Sequence, residues 1–195
     1  MKGLARKLIA PVLIGGASLL PLSSHAQKTQ EKFVPHTYWA GEAMLYADDD
    51  SNIQDRYKPI LGGGGRMFRD INPNFRWELA AGIYSGKGDF RVGDTNANGS
   101  LTMVFFEGIT RYQQEDGFFF GAGPILLNAR ERVSIPGFVG SDSGSGLGGV
   151  VGAGIDFGSG NSKFSIRFDY ISMFTGPELS GGRLSIGFKN RLKSN

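Results

Sequence analysis

The segment from Lys163 to Phe174 reads KFSIRFDYISMF. Phe164, Ile166, Phe168, Tyr170 and Phe174 fall on one side of an extended chain, and Ser165, Arg167 and Asp169 fall on the other. A period of two with one apolar and one charged face marks a β-strand. Two more segments repeat it. In FRWELAAGIY (75–84), Phe75, Trp77, Leu79, Ala81 and Ile83 oppose Arg76 and Glu78; in RLSIGFKNRL (183–192), Leu184, Ile186, Phe188 and Leu192 oppose Arg183, Lys189 and Arg191. The fold depends on which face is turned inward. A soluble exported β-sandwich or lipocalin-like barrel buries the phenylalanines and puts Arg167 and Asp169 in water. A membrane barrel turns the apolar face to lipid and the charges to its lumen.

Working outward, eight such units can be counted, at about 38–47, 59–69, 75–86, 99–112, 117–130, 146–157, 162–174 and 182–192. The connections alternate in length. DINPN (70–74), QQED (113–116) and GSGN (158–161) are tight, whereas DDDSNIQDRYK, KGDFRVGDTNAN, ERVSIPGFVGSDSGS and GPELSG are longer. All long connections therefore lie at one end and all short ones at the other, as in a barrel with external loops and periplasmic turns. Strands of about 9–11 residues cross a bilayer when tilted. The expectation is an all-β fold, an eight-stranded antiparallel up-and-down transmembrane β-barrel. Trp39, Phe75, Trp77, Tyr112, Phe119, Phe157 and Phe164 are expected outside at the turn end, as an interfacial girdle.

The first residues agree with export. MKGLARK is cationic, LIAPVLIGGASLLPL is apolar but broken by prolines and glycines, and Ser24-His25-Ala26 fits a signal-peptidase site. Residues 1–26 are expected to be a cleaved signal peptide and 27–195 the outer-membrane barrel domain. Lys2, Arg6 and Lys7 lie in that segment, so 21 − 3 = 18 basic residues remain against 18 acidic ones. A neutral mature chain gives no electrostatic case for nucleic acid. No cysteine is present, which excludes disulfides and thiolate metal sites. GGGGR (62–66) lacks the GxxxxGK[ST] spacing of a phosphate loop. No metal and no cofactor are expected, and the barrel is expected to act as a monomer embedded in the membrane. Arg56, Lys58, Lys87, Arg91, Arg130 and Arg132 in the loops are placed to meet outer-leaflet lipid or lipopolysaccharide phosphates.

The expected lumen has two halves. Near the turns it holds Glu42, Arg66, Arg76, Glu78, Glu107, Arg111, Asp156, Arg167, Asp169, Lys189 and Arg191, charges tolerable only when paired. They form either a structural plug or an ion path. Near the loops the inward set includes Met44, Tyr46, Ile60, Gly62, Gly64, Tyr84, Leu101, Met103, Phe105, Ala122, Pro124, Leu126, Ile171 and Met173. An eight-stranded barrel is filled by side chains or holds one small ligand. This half is either packed or a pocket for an acyl chain.

Asp55-Arg56-Tyr57, Pro59 and Gly62 to Gly65 give the chain a local resemblance to lipid A palmitoyltransferase (PagP), within a general likeness to small OmpA-like and OmpX-like barrels. The resemblance implies lateral lipid entry at strand-interrupting prolines such as Pro59, Pro124 and Pro136, and acyl transfer from phospholipid to lipid A. The catalytic histidine of that family has no counterpart in YWAGEAMLYA (38–47), and its Asp-Ser pair becomes Tyr84-Ser85. Ser85 is the catalytic candidate on this reading. The alternative is a non-enzymatic OmpA/OmpX-like barrel in envelope integrity, adhesion or passage of small apolar solutes.

Overall fold

The computed structural model describes residues 33–158 and 160–192. The expected signal peptide lies outside the described residues. The elements are β1 (Thr37–Asp48), a short helix α1 (Ser51–Arg56), β2 (Ile60–Asp70), β3 (Phe75–Val92), β4 (Thr95–Gln113), β5 (Phe118–Ile135), β6 (Phe138–Phe157), β7 (Ser162–Met173) and β8 (Gly181–Arg191). Each strand pairs antiparallel with the next, and β1 pairs with β8, so the sheet closes. Closure leaves no strand edge inside the bilayer, where an unpaired peptide group would be costly.

The face question is answered by exposure. Phe168 is 60% exposed, Phe106 57% and Phe188 52%, while Glu78, Asp169 and Arg183 are 0% exposed. A band of large apolar side chains around a charged interior suits lipid outside, and would be an aggregation surface in water. At the turn end Trp39, Trp77, Phe75, Phe157 and Phe164 face outward as expected. Phe75 meets Tyr112 edge to face and Tyr112 packs at a tilt on Phe120, with ring centroids 5.2 and 5.1 Å apart.

One strand departs from the expected phase. Phe119 is buried, and Phe118 and Phe120 take its place in the girdle. Leu126, Ala122 and Pro124 point outward, and Ile125 and Leu127 point into the lumen. The cause is the composition of FFFGAGPILL (118–127), which has no polar residue to mark a face. Neighbours set the phase instead: the inward Arg111 pairs with Gly121, and its guanidinium sits 3.4 Å from the Phe119 ring centroid. Arg191 is a second correction. It is exposed at the strand end and donates to His36 Nδ1 at 2.7 Å rather than entering the lumen.

The outer ends of four strands also differ from expectation. Segments 87–98 and 131–145 are not loops but continuations of β3 to β6, which run 18–20 residues against 11–12 for the other four. At roughly 3.3 Å per residue, the extra length raises a four-stranded sheet about 20 Å beyond the rest of the barrel. Its tips are two-residue turns, Gly93-Asp94 and Pro136-Gly137, with φ of 61° at Gly93 and 81° at Gly137. Proline then glycine fits a type II turn, whose second central residue needs positive φ. The alternation through both tips is weak in sequence, since polar residues lie on each face above the membrane.

Candidate functional site

The turn-side half of the lumen is a continuous network of ion pairs. Arg66 reaches Glu42 at 2.8 Å, Glu78 at 3.1 Å and Glu107 at 2.7 Å. Glu78 also receives Arg111 at 3.2 Å and Arg167 at 2.8 Å. Asp169 lies between Arg167 and Arg183, at 2.5 and 2.6 Å, and Arg183 continues to Glu107 at 2.9 Å. Asp156 holds Arg111 and Lys189, each at 2.5 Å, and Arg76 pairs with Asp70 at 2.7 Å. Arg111 also donates to Gln113. The set contains six cations and six anions, so the buried charge cancels. Such charges survive burial because each has an opposite partner, and nine of the twelve have more than one. The geometry is that of a plug joining seven of the eight strands, all but β5.

Above the plug, Met44, Tyr46, Ile60, Tyr84, Leu101, Met103, Phe105 and Ile171 are buried in one cluster, and Met173 packs against it. These are the residues expected in this half apart from Gly62, Gly64 and the outward Ala122, Pro124 and Leu126. Tyr84 lies at the centre, with its ring 5.6 Å from Tyr46 and 5.3 Å from Phe105. The glycines are explained by these neighbours. A Cβ on Gly62 would collide with the Tyr84 ring, one on Gly64 would meet Ala81 O at 2.5 Å, and one on Gly82 would meet Phe105 Cε1 at 2.6 Å. Missing side chains on β2 and β3 leave space that aromatic rings and Met44 occupy. Gly62→Ala is therefore expected to destabilise the barrel by about 1–3 kcal/mol, read as a lower midpoint of urea unfolding in lipid vesicles. Gly65→Ala, whose Cβ comes no nearer than 3.9 Å to Ala40 O, is expected to leave the midpoint within error.

Ser85, the catalytic candidate, is exposed and projects from the outward face of β3. Tyr84 beside it points inward, where Arg183 donates to its hydroxyl at 3.5 Å. His36, the one histidine among the described residues, sits before β1 at the opposite, turn end of the barrel. Among the described residues no histidine or carboxylate hydrogen-bonds to Ser85.

Tyr57 entered the sequence reading only through the Asp55-Arg56-Tyr57 resemblance, and Glu131 was not singled out. Tyr57 is 1% exposed, and its hydroxyl donates to Glu131 Oε1 at 2.5 Å. Burial, and then the Glu131 carboxylate, push this phenol above its ordinary pKa. Arg56, at the end of α1, lies 3.7 Å from the same carboxylate and 5.0 Å from the Phe90 ring centroid. Gly88 and Gly99 provide the space, since a Cβ at either would strike Arg56 O or the Tyr57 ring. The DRYKP segment is thus the docking arm that ties α1 to the raised sheet. Its signal in sequence was a loop tyrosine beside two glycine-containing strands, too common a pattern to identify.

No family model matches the chain, and no curated protein matches it in sequence. Solved structures do match by fold. Ail, the attachment invasion locus protein of Yersinia pestis, shares 14% identity at a TM-score of 0.54, covering 81% of this chain and 97% of that one. The outer membrane protein OprG from Pseudomonas aeruginosa gives 11% and 0.52, over 82% and 96%. Neisserial surface protein A gives 18% and 0.50, over 80% and 97%. At these identities the likeness is one of fold. With its apolar belt, charged lumen and closed eight-stranded sheet, the chain is a transmembrane β-barrel of the bacterial outer-membrane type.

Proposed function

We propose that the protein is a non-enzymatic outer-membrane barrel whose raised β3 to β6 sheet presents a rigid contact surface outside the cell. The observation that carries this reading is the structural contrast between the two parts. The lumen is filled by paired charges and a packed apolar cluster, while four strands continue past the barrel as paired hairpins braced by α1 and Tyr57. A rigid sheet binds with little ordering cost, which suits recognition more than turnover. The neighbour Ail, named for attachment and invasion and solved with the heparin analogue sucrose octasulfate, supports the same direction. Acyl transfer fits less well, because Ser85 lies on the outward face and Gly62 is backed by Tyr84.

The test is to replace residues 88–99 and 132–141 each by Asn-Gly, which leaves Lys87 paired with Ser100 and Glu131 with Asp142 beside the new turns. Cells displaying the shortened barrel are expected to adhere to epithelial monolayers no better than cells without the protein, while membrane insertion is retained. Mass spectra of lipid A are expected to be the same with and without the protein. Full adhesion by the shortened barrel, or an added acyl chain on lipid A, would overturn the reading.

A further inference from the structure

The outward face of β3 to β6 changes character at one level. Strand pairing aligns Ser85, Thr102, Arg130 and Ser143 in one row, and Lys87, Ser100, Arg132 and Ser141 in the next row outward. These two rows hold three cations and hydroxyls, with no carboxylate; Glu131 is turned away to Tyr57. Among the described residues no ion pair joins Lys87, Arg130 or Arg132 to an acid, whereas Arg66, Arg111, Arg167, Arg183 and Lys189 are all paired inside. With strands ~4.8 Å apart and alternate residues ~7 Å apart along a strand, the three cations lie within about 12 Å of one another. That is the scale of a phosphorylated sugar.

Below these rows, toward the membrane centre, the same face carries a groove of about 510 Å³. Its floor is Gly65, Ala81 and Gly108, and its walls include Leu79, Phe106 and Leu126. The β4–β5 ladder has no pairs between Gly108-Ile109 and Gly123-Pro124, because Pro124 has no N–H to give. Small residues and a broken ladder produce a furrow in the lipid-facing wall, where the rest of the belt is bulky. Lined by carbon, it matches a hydrocarbon chain.

We propose that this face is a seat for one phosphorylated glycolipid of the outer leaflet, of lipid A chemistry. Its sugar phosphate lies against Lys87, Arg130 and Arg132, and one of its acyl chains lies in the groove beneath. The order of chemistries along the strands, hydroxyl and cation outside and carbon inside, is the order along such a lipid. A soluble polyanion would use the cations and leave the groove empty. The seat does not rest on the attachment reading: its groove lies in the lipid-facing wall, and of its basic rows only Arg132 and Ser141 fall within the segments shortened to test that reading.

The test uses the full chain folded in detergent micelles, titrated with bis-phosphorylated lipid A and with its dephosphorylated form, with bound lipid counted by native mass spectrometry. Joint replacement Lys87→Ala, Arg130→Ala and Arg132→Ala is expected to weaken binding of the phosphorylated form by about 10-fold or more, and to leave the dephosphorylated form unchanged. Gly108→Leu fills the groove; its Cβ would meet Leu79 Cδ2 at 3.7 Å, an ordinary contact, so the barrel folds. This variant is expected to weaken both forms. Arg69→Ala, exposed at the turn end of β2, is expected to bind as wild type. Retained affinity in the triple variant, or no effect of Gly108→Leu, overturns the proposal; the latter result would leave a surface for soluble polyanions.

Discussion

Replacing Glu78 with alanine is expected to lower the unfolding free energy of the barrel by about 3–5 kcal/mol, measured by urea titration in phospholipid vesicles. Glu78 is completely buried and is contacted by Arg66, Arg111 and Arg167, from three other strands. Without it those guanidiniums face one another across a dry lumen with less opposite charge between them. The cost is thus mainly that of the cations left behind, and less that of the lost pairs. A consequence follows for double variants. Glu78→Ala combined with Arg111→Ala should cost less than the sum of the two single changes, because each removes part of the other's penalty. A loss below about 1 kcal/mol for Glu78→Ala would mean that water reaches the network and screens it.

The second large effect concerns the opposite face. Phe168 lies near the middle of β7, paired with Ala153 and Leu184, and is 60% exposed. Phe168→Arg places a cation in hydrocarbon and is expected to cost about 2–4 kcal/mol in a bilayer, against about 0–1 kcal/mol near the interface. Phe174, just beyond β7 and 59% exposed, provides the interfacial comparison with Phe174→Arg. The difference between the two variants depends on depth in the bilayer. Equal small losses at both positions would place Phe168 in water instead.

Most of the fold was legible because segments such as KFSIRFDYISMF, FRWELAAGIY and RLSIGFKNRL put polar and apolar residues on opposite faces through the membrane. Alternation assigns a face only where the two faces differ. In FFFGAGPILL both faces are apolar, so Phe119 and Leu126 were assigned to the wrong sides until pairing with β4 fixed the phase. The hairpin extensions were hidden for the opposite reason. In KGDFRVGDTNAN both faces meet water, so no apolar face marks the strands that flank the two-residue turn Gly93-Asp94.

The interior was read well by type and less well by contact. Sequence separated a charged half from an apolar half, yet it could not say whether Gly62 and Gly64 leave a pocket, since a glycine's surroundings come from strands distant in sequence. Tyr84 and Met44 supply that information. Arg183 belongs in the network through Asp169 and Glu107, a role that alternation permits but only register reveals. The same holds for the outer basic rows. Lys87, Arg130 and Arg132 were visible as loop cations, and their alignment with Ser100, Thr102, Ser141 and Ser143 exists only once the strands are paired.

The central claim is that alternate residues of each strand face lipid and a filled lumen, with β5 in the phase described. The natural chain has no cysteine, so single-cysteine variants can be labelled cleanly. An environment-sensitive fluorophore is attached to Leu126→Cys or to Leu127→Cys, in vesicles containing lipids spin-labelled along their acyl chains. The account predicts strong quenching at position 126 and little at position 127. Stronger quenching at 127, or equal quenching at both, would contradict it.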